Sequence, residues 1–176
     1  YENSNTKFST ILQYSSIGYK NSDSKYLRGM EDRGNALSLG AEATYQSGAH
    51  QLSGKTLFDV QNIHNGYTVN LEYSATLPFS VNSIFIPYIG VEHLSDKKSN
   101  YYYGVRSDEA IIKRPAYQAN TATNPYLGMK TIYKINSKWS VLGEARYKLL
   151  DKQVKNSPIT DEGHELSGAI GAVYSW

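Results

Sequence analysis

Cysteine is absent from the 176-residue chain. That excludes disulfides, zinc–thiolate centres, iron–sulfur clusters and thiol catalysis. A charge of one sign is also missing, because 18 basic residues face 16 acidic ones, for a net charge of +2. No broad field is available to hold nucleic acid. Long apolar runs are lacking too. The longest, Ile84-Phe85-Ile86-Pro87-Tyr88-Ile89-Gly90-Val91, falls far short of the roughly 20 residues a spanning helix needs. Mean hydropathy is −0.51. Proline (5) and methionine (2) are scarce, whereas tyrosine (16) and glycine (14) are common. Polybasic tails, low-complexity blocks and interdomain linkers are not seen, and the length suits one domain over residues 1–176. A cysteine-free chain of this composition is either a polar all-β protein or a transmembrane β-barrel. Tyr1-Glu2-Asn3-Ser4 reads as the interior of something longer or the start of a processed chain, with no secretory leader in view.

Strand signals recur, and helix signals are nearly absent. From Tyr67 to Phe79, one phase holds Tyr67, Val69, Leu71, Tyr73, Ala75, Leu77 and Phe79, and the other Thr68, Asn70, Glu72, Ser74 and Thr76. Period-two alternation of this kind predicts a strand, and its length exceeds the usual soluble strand. Leu37–Gln46, His50–Val60, Trp139–Leu150 and Leu166–Trp176 alternate in the same way. Phe8–Tyr19, Ile84–Leu94 and Pro125–Ile135 are weaker strands. About eight strands result. Ser47-Gly48-Ala49, Ser80-Val81-Asn82 and Asn136-Ser137-Lys138 make short turns, whereas Lys20–Gly34, Ser95–Asn124 and Asp151–Gly163 are long. Outer-membrane barrels alternate short periplasmic turns with long outer loops in this manner.

A soluble sandwich or lipocalin-like barrel would alternate as well, with its apolar phase inward, and alternation alone does not say which phase faces in. Three features favour the membrane: the strand lengths; aromatic residues near strand ends (Tyr45, Phe58, Tyr67, Phe79, Tyr133, Trp139, Tyr174, Trp176), placed as an aromatic girdle would be; and mid-strand charges on the polar phase (Glu42, Lys55, Asp59, Glu72, Lys130, Glu144, Arg146), which a solvated outer face would also tolerate. The polar phase carries Glu42, Lys55, Asp59, Glu72, Glu92, Lys130, Lys134, Glu144, Arg146, Lys148 and Glu165. In a narrow lumen this balance predicts an ion-pair and hydrogen-bond network rather than a one-sign selective ring.

The chain end resembles the C-terminal signal read by the barrel-assembly machinery. Gly171, Tyr174 and Trp176 carry the likeness, while Ala169 stands where a polar residue is expected and the terminal aromatic is Trp rather than Phe. Four further segments, taken in order, resemble the MipA/OmpV family: Tyr26-Leu27-Arg28-Gly29-Met30 with Glu31-Asp32-Arg33; Asp59-Val60; Asn100-Tyr101-Tyr102-Tyr103-Gly104-Val105 with Ser107, Glu109 and Tyr117-Gln118-Ala119; and Asn156-Ser157-Pro158-Ile159. The likeness runs from about residue 20 to 176. Family members begin with further strands, so this chain is expected to lack N-terminal strands or to be a shortened member.

The resemblance implies an antiparallel transmembrane β-barrel in a Gram-negative outer membrane, without catalytic, metal or cofactor residues. Implied partners are outer-membrane lipid and lipopolysaccharide, the barrel-assembly machinery, and a murein transglycosylase with a penicillin-binding protein, for which the barrel would be a scaffold. Tyr101, Tyr102, Tyr103 and Gly104 are either loop or strand-end packing or an exposed contact patch. The alternatives are a surface adhesin or receptor using Lys97–Arg114, a lipid-modifying hydrolase and a solute pore. The hydrolase would need Ser95 activated by His93, two residues away on the same strand face, yet Asp96 follows where the known element has Asn. The four histidines, His50, His64, His93 and His164, have no metal-ligand spacing and are expected to be exposed or interfacial.

Overall fold

The computed structural model describes residues 5–175. Nine strands form one antiparallel sheet: β1 (Thr6–Ser15), β2 (Ala36–Ser47), β3 (His50–Asp59), β4 (Tyr67–Ala75), β5 (Leu77–Pro78), β6 (Ser83–Leu94), β7 (Ala122–Lys134), β8 (Trp139–Leu149) and β9 (His164–Tyr174). Eight of them follow chain order across the sheet, and the two-residue β5 pairs only with the start of β6. The sheet curls into an open half-barrel. Its edges are β1 and β9, which share no ladder among the described residues. Every residue of β9 is exposed. Two short helices interrupt the long loops: α1 (Asp96–Tyr103) and α2 (Lys152–Lys155). No helix is long and apolar enough to cross a membrane.

The eight long strands run 9 to 13 residues, the length that spans a bilayer when tilted. Tyr67–Phe79 is not one strand: β4 ends at Ala75, and Leu77–Pro78 forms the separate β5. Phe8–Tyr19 was too long: pairing ends at Ser15, and Tyr19 instead forms an isolated bridge with Arg33. The β2–β3 hairpin turns on Gly48, whose φ of +58° lies in the left-handed region that favours glycine.

The curvature settles which phase faces in. The apolar phase points outward and is exposed: Leu12, Leu39, Leu52, Leu71, Ile89, Leu127 and Met129 are each at least 44% accessible. Apolar side chains this numerous on a convex face belong against hydrocarbon. Aromatic residues ring this face near both ends. Phe8, Tyr45, Tyr73, Phe85, Tyr133, Trp139 and Tyr174 lie toward the short turns, and Tyr14, Phe58, Tyr67 and Tyr147 toward the long loops. Trp139 and Tyr174 pack at 5.0 Å between ring centroids, and Phe79 with Phe85 at 5.1 Å.

The polar phase lines the concave face as the expected network. Lys130 pairs with Glu72 at 3.1 Å, and Lys148 bridges Glu92 (3.3 Å) and Glu165 (3.2 Å). At its centre, two tyrosines lie along this face, each reaching over one neighbouring strand. Tyr88 stands opposite Gly128 and Tyr126 opposite Gly90 in the β6–β7 ladder. Each ring lies over the glycine across from it, so closely that an added Cβ would sit 2.4 Å from Tyr88 Cζ or 2.5 Å from Tyr126 Cζ. The Tyr88 hydroxyl donates to Glu144 at 2.5 Å and the Tyr126 hydroxyl to Glu72 at 3.2 Å. The Arg146 guanidinium covers the Tyr126 ring at 3.7 Å, a cation–π contact.

Candidate functional site

Apart from Leu57, Tyr88 and Tyr126 on the strands, the buried apolar residues gather at one end, where the long loops meet. Leu27, Met30 and Val105 form one cluster, flanked by Tyr19, Tyr117 and Ile159. Leu94, Ala122 and Val154 form a second, flanked by Tyr103 and Leu150. The loops thus fold into a cap with its own core. All the loop segments that carried the family resemblance are in it.

Helix α1 sets the cap. Ser95 is its N-cap, with its Oγ accepting from the Lys98 amide at 3.3 Å and the Tyr67 amide at 3.0 Å. Asp96 in the first turn suits the positive helix end. Because the three tyrosines occupy a helix, successive side chains diverge by about 100°. Tyr102 is 2% exposed, and its hydroxyl donates to the Gly34 carbonyl at 3.0 Å. The Tyr101 hydroxyl accepts from the Gly34 amide at 2.9 Å. Tyr103 packs on the second cluster, and its carbonyl accepts from Ser157 Oγ at 2.6 Å. Burial pushes the hydroxyl pKa of both Tyr102 and Tyr103 up. Gly104 ends the helix, its amide returning to the Asn100 carbonyl. The structure therefore makes Tyr102 an interior residue, and Tyr101 and Tyr103 are half-buried.

A buried ion pair ties the first loop to the third. Arg33 Nη2 donates to both Glu109 oxygens at 2.8 and 3.0 Å, with both side chains at most 3% exposed. Arg33 also donates to the carbonyls of Tyr101 (2.8 Å) and Glu31 (2.9 Å). Glu109 further accepts from the Glu31 amide at 2.9 Å and the Arg106 amide at 3.1 Å. Burial would raise the Glu109 carboxyl, but Arg33 and these two amides outweigh it and hold the pKa at about 2. Arg114, also buried, is held by carbonyls: Tyr26 (2.6 Å), Arg28 (3.0 Å) and Glu109 (2.6 Å).

Asp59 at the end of β3 shapes the shortest of the long-side loops, accepting from the amides of Gln61, His64 and Asn65 at 2.7–2.9 Å. His64 departs from the expected exposed or interfacial histidine. It is 5% exposed, and its Nδ1 accepts from the Gly66 amide at 3.0 Å. Burial and the nearby Lys98 push its pKa down, keeping it neutral. The other three histidines do pair with girdle tyrosines: His50 with Tyr73, His93 with Tyr67, and His164 with Tyr147.

The Ser95–His93 pair does not assemble. Ser95 Oγ is buried and bound by two amides, while His93 Nδ1 contacts Thr123 Oγ1 at 3.0 Å. Among the described residues no group of three His, Cys, Asp or Glu side chains could hold a metal. Gly171 and Tyr174 lie on the exposed edge strand β9. Trp176 lies outside the described residues.

A curled antiparallel sheet of spanning length, apolar outside, ion-paired inside and closed at one end by packed loops, defines a β-barrel of outer-membrane type. The model of the family described as "MltA-interacting protein MipA" matches residues 1–176, and the chain belongs to this family. It is 30% identical over 166 residues to outer membrane protein OmpV of Vibrio cholerae, covering 94% of this chain and 64% of that protein. It is equally similar to outer membrane protein Omp26La of Vibrio anguillarum. The MltA-interacting protein of Escherichia coli is 26% identical over 174 residues, 97% of this chain and 69% of that protein. The chain thus spans about two thirds of the length of these curated relatives. No solved structure matches. The protein resides in the outer membrane of a Gram-negative cell.

Proposed function

We propose that the protein is a non-enzymatic outer-membrane anchor, offering its periplasmic end to a murein transglycosylase and, through it, a penicillin-binding protein. The name of the Escherichia coli relative supports the transglycosylase. The carrying observation is the difference between the two ends. The long-loop end is covered by the packed cap, whose own cavity lies among the loops, whereas the short-turn end carries a polar recess of about 720 Å³ lined by Ser9, Glu42, Thr44, Gln46 and Gln51. Short turns face the periplasm in such barrels, so the open end is the one a murein enzyme can reach. The engagement of Ser95 Oγ as a helix cap supports the non-enzymatic reading.

The eight strands are then part of a larger closed ring. Free strand edges are untenable in hydrocarbon. Strand β1 runs toward the long loops and β9 away from them, so antiparallel closure takes an even number of added strands. Relatives longer than this chain supply the precedent, and the C-terminal Gly171-x-x-Tyr174-x-Trp176 pattern serves the barrel-assembly machinery.

The test is site-specific photocrosslinking of the full-length protein in cells. A crosslinker at Val81, 96% exposed on a short turn, captures a murein transglycosylase, and one at Ile112 on the cap does not. Recovery of only lipopolysaccharide and assembly factors at Val81 refutes the scaffold. One observation favours the adhesin reading: Ile111 and Ile112 are 57% and 104% exposed at a tip that Arg114 holds in place. Capture of a host or matrix protein from Ile112 would mark that function.

A further inference from the structure

A second cavity, of about 910 Å³, opens in the cap between the β3–β4 loop, α1 and the segment after it. That volume is typical of ligand sites. Its lining includes no residue of β1, β9 or the loop that precedes β9, and Arg33 is its one contribution from the loop that follows β1. Its walls are fixed. Tyr101 is held by Gly34, Arg33 by Glu109, and Val105 and Tyr117 by a backbone bridge.

The chemistry of the lining is one-sided. Its fully charged side chains are Arg33, Lys97 and Arg106, and no carboxylate lines it. Arg33 and Arg106 are neutralised by Glu109 and Glu31, which lie outside the cavity wall. Lys97 is exposed and makes no ion pair or hydrogen bond among the described residues, and neither does the Gln118 amide. The Tyr101 hydroxyl accepts one bond and still has its proton to give. Asn100 spends its Oδ1 on the Ala119 amide at 3.1 Å, leaving its amino group free to donate. The site thus presents one uncompensated cation, a surplus of donors and two tyrosines, Tyr101 and Tyr117. A purely apolar ligand would strand these donors, and a cation would meet Lys97.

We propose that this cavity binds an anionic saccharide, a hexose bearing a carboxylate or phosphate. Lys97 takes the charge, and Asn100, Tyr101 and Gln118 hydrogen-bond the ring hydroxyls. A free acidic sugar and the charged sugar of a membrane glycolipid share this chemistry. The test titrates the full-length protein in detergent micelles with galacturonate, glucose 6-phosphate and neutral glucose, followed by saturation-transfer NMR. Both anions bind at least tenfold more tightly than glucose, and Lys97→Gln weakens them about tenfold while amide exchange of the cap is unchanged. Gln118→Ala weakens all three sugars. Lipopolysaccharide that competes with galacturonate in a Lys97-dependent way identifies the glycolipid as the source, and anions that bind without such competition identify the free sugar. Equal binding of glucose and galacturonate, or anion binding indifferent to Lys97, overturns the proposal.

Discussion

Replacing Glu109 by Gln removes the charge that balances Arg33 inside the cap. The carboxylate receives four hydrogen bonds, two from Arg33 and two from backbone amides. Its pKa, lowered from 4.5 to about 2, corresponds to about 3 kcal/mol favouring the folded cap. Loss of one partner from a buried pair costs about 3–5 kcal/mol by general experience, so the two figures agree. The strands make none of these bonds, and the loss falls on the cap alone. Hydrogen exchange of residues 20–33 and 104–118 in micelles is the assay. Glu109→Gln lowers their protection on the order of 100-fold, while the strand amides and the heat-dependent gel mobility stay as they were. Acid does the same to the native protein. The folded-state carboxyl titrates below the unfolded one, so the stabilisation is complete above about pH 4.5. It fades as pH falls toward 2. Cap protection unchanged within threefold in the variant would refute the claim that this pair holds the loops together.

Gly128→Val places a side chain where the Tyr88 ring lies. It costs about 1–3 kcal/mol and lowers the temperature at which the folded barrel loses its compact mobility on an unboiled gel. Ser95→Ala removes the cap of α1 and strands the Tyr67 amide, costing about 1 kcal/mol. Lipid A and phospholipid profiles of cells overexpressing that variant match those of cells overexpressing the parent, whereas a difference would revive the hydrolase. Deleting Trp176 reduces the amount of folded protein in the outer membrane, read on unboiled gels, and an unchanged yield removes the assembly-signal role.

The wall of this molecule was legible because two solvents write on alternate residues. Lipid on one side and a narrow polar lumen on the other force a period of two, as in Tyr67–Ala75, and that pattern survives without tertiary information. The lumen network was legible for the same reason, since unlike charges such as Glu72 and Lys130 sit on one phase. The cap was not legible. Its key contact joins Arg33 to Glu109 across 76 positions, and no local period encodes it. Helix α1 escaped notice because Tyr-Tyr-Tyr suits a strand. Ser95-Asp96 at its start and Gly104 at its end were the available clues. Once the segment is a helix, three adjacent rings must face different ways, and the tyrosine run cannot act as one surface. His64 was misjudged because its burial depends on Tyr101 and Tyr102, whose rings flank it at 6.3 and 5.7 Å.

The cap also has a place in time. Its bonds link the loop before β2 to the loop before β7, and that loop to the one before β9: Arg33 to Glu109, Tyr102 to Gly34, Ser157 to Tyr103, Tyr117 to Gln153. None can form until the strands on both sides of each loop have crossed the membrane. The loops must therefore traverse the bilayer as unfolded chain, carrying their charged residues apart, and meet only on the far side. Such long-range contacts are slow to close. Formation of the cap thus follows the crossing of β1–β9, and its closure marks those strands as in place.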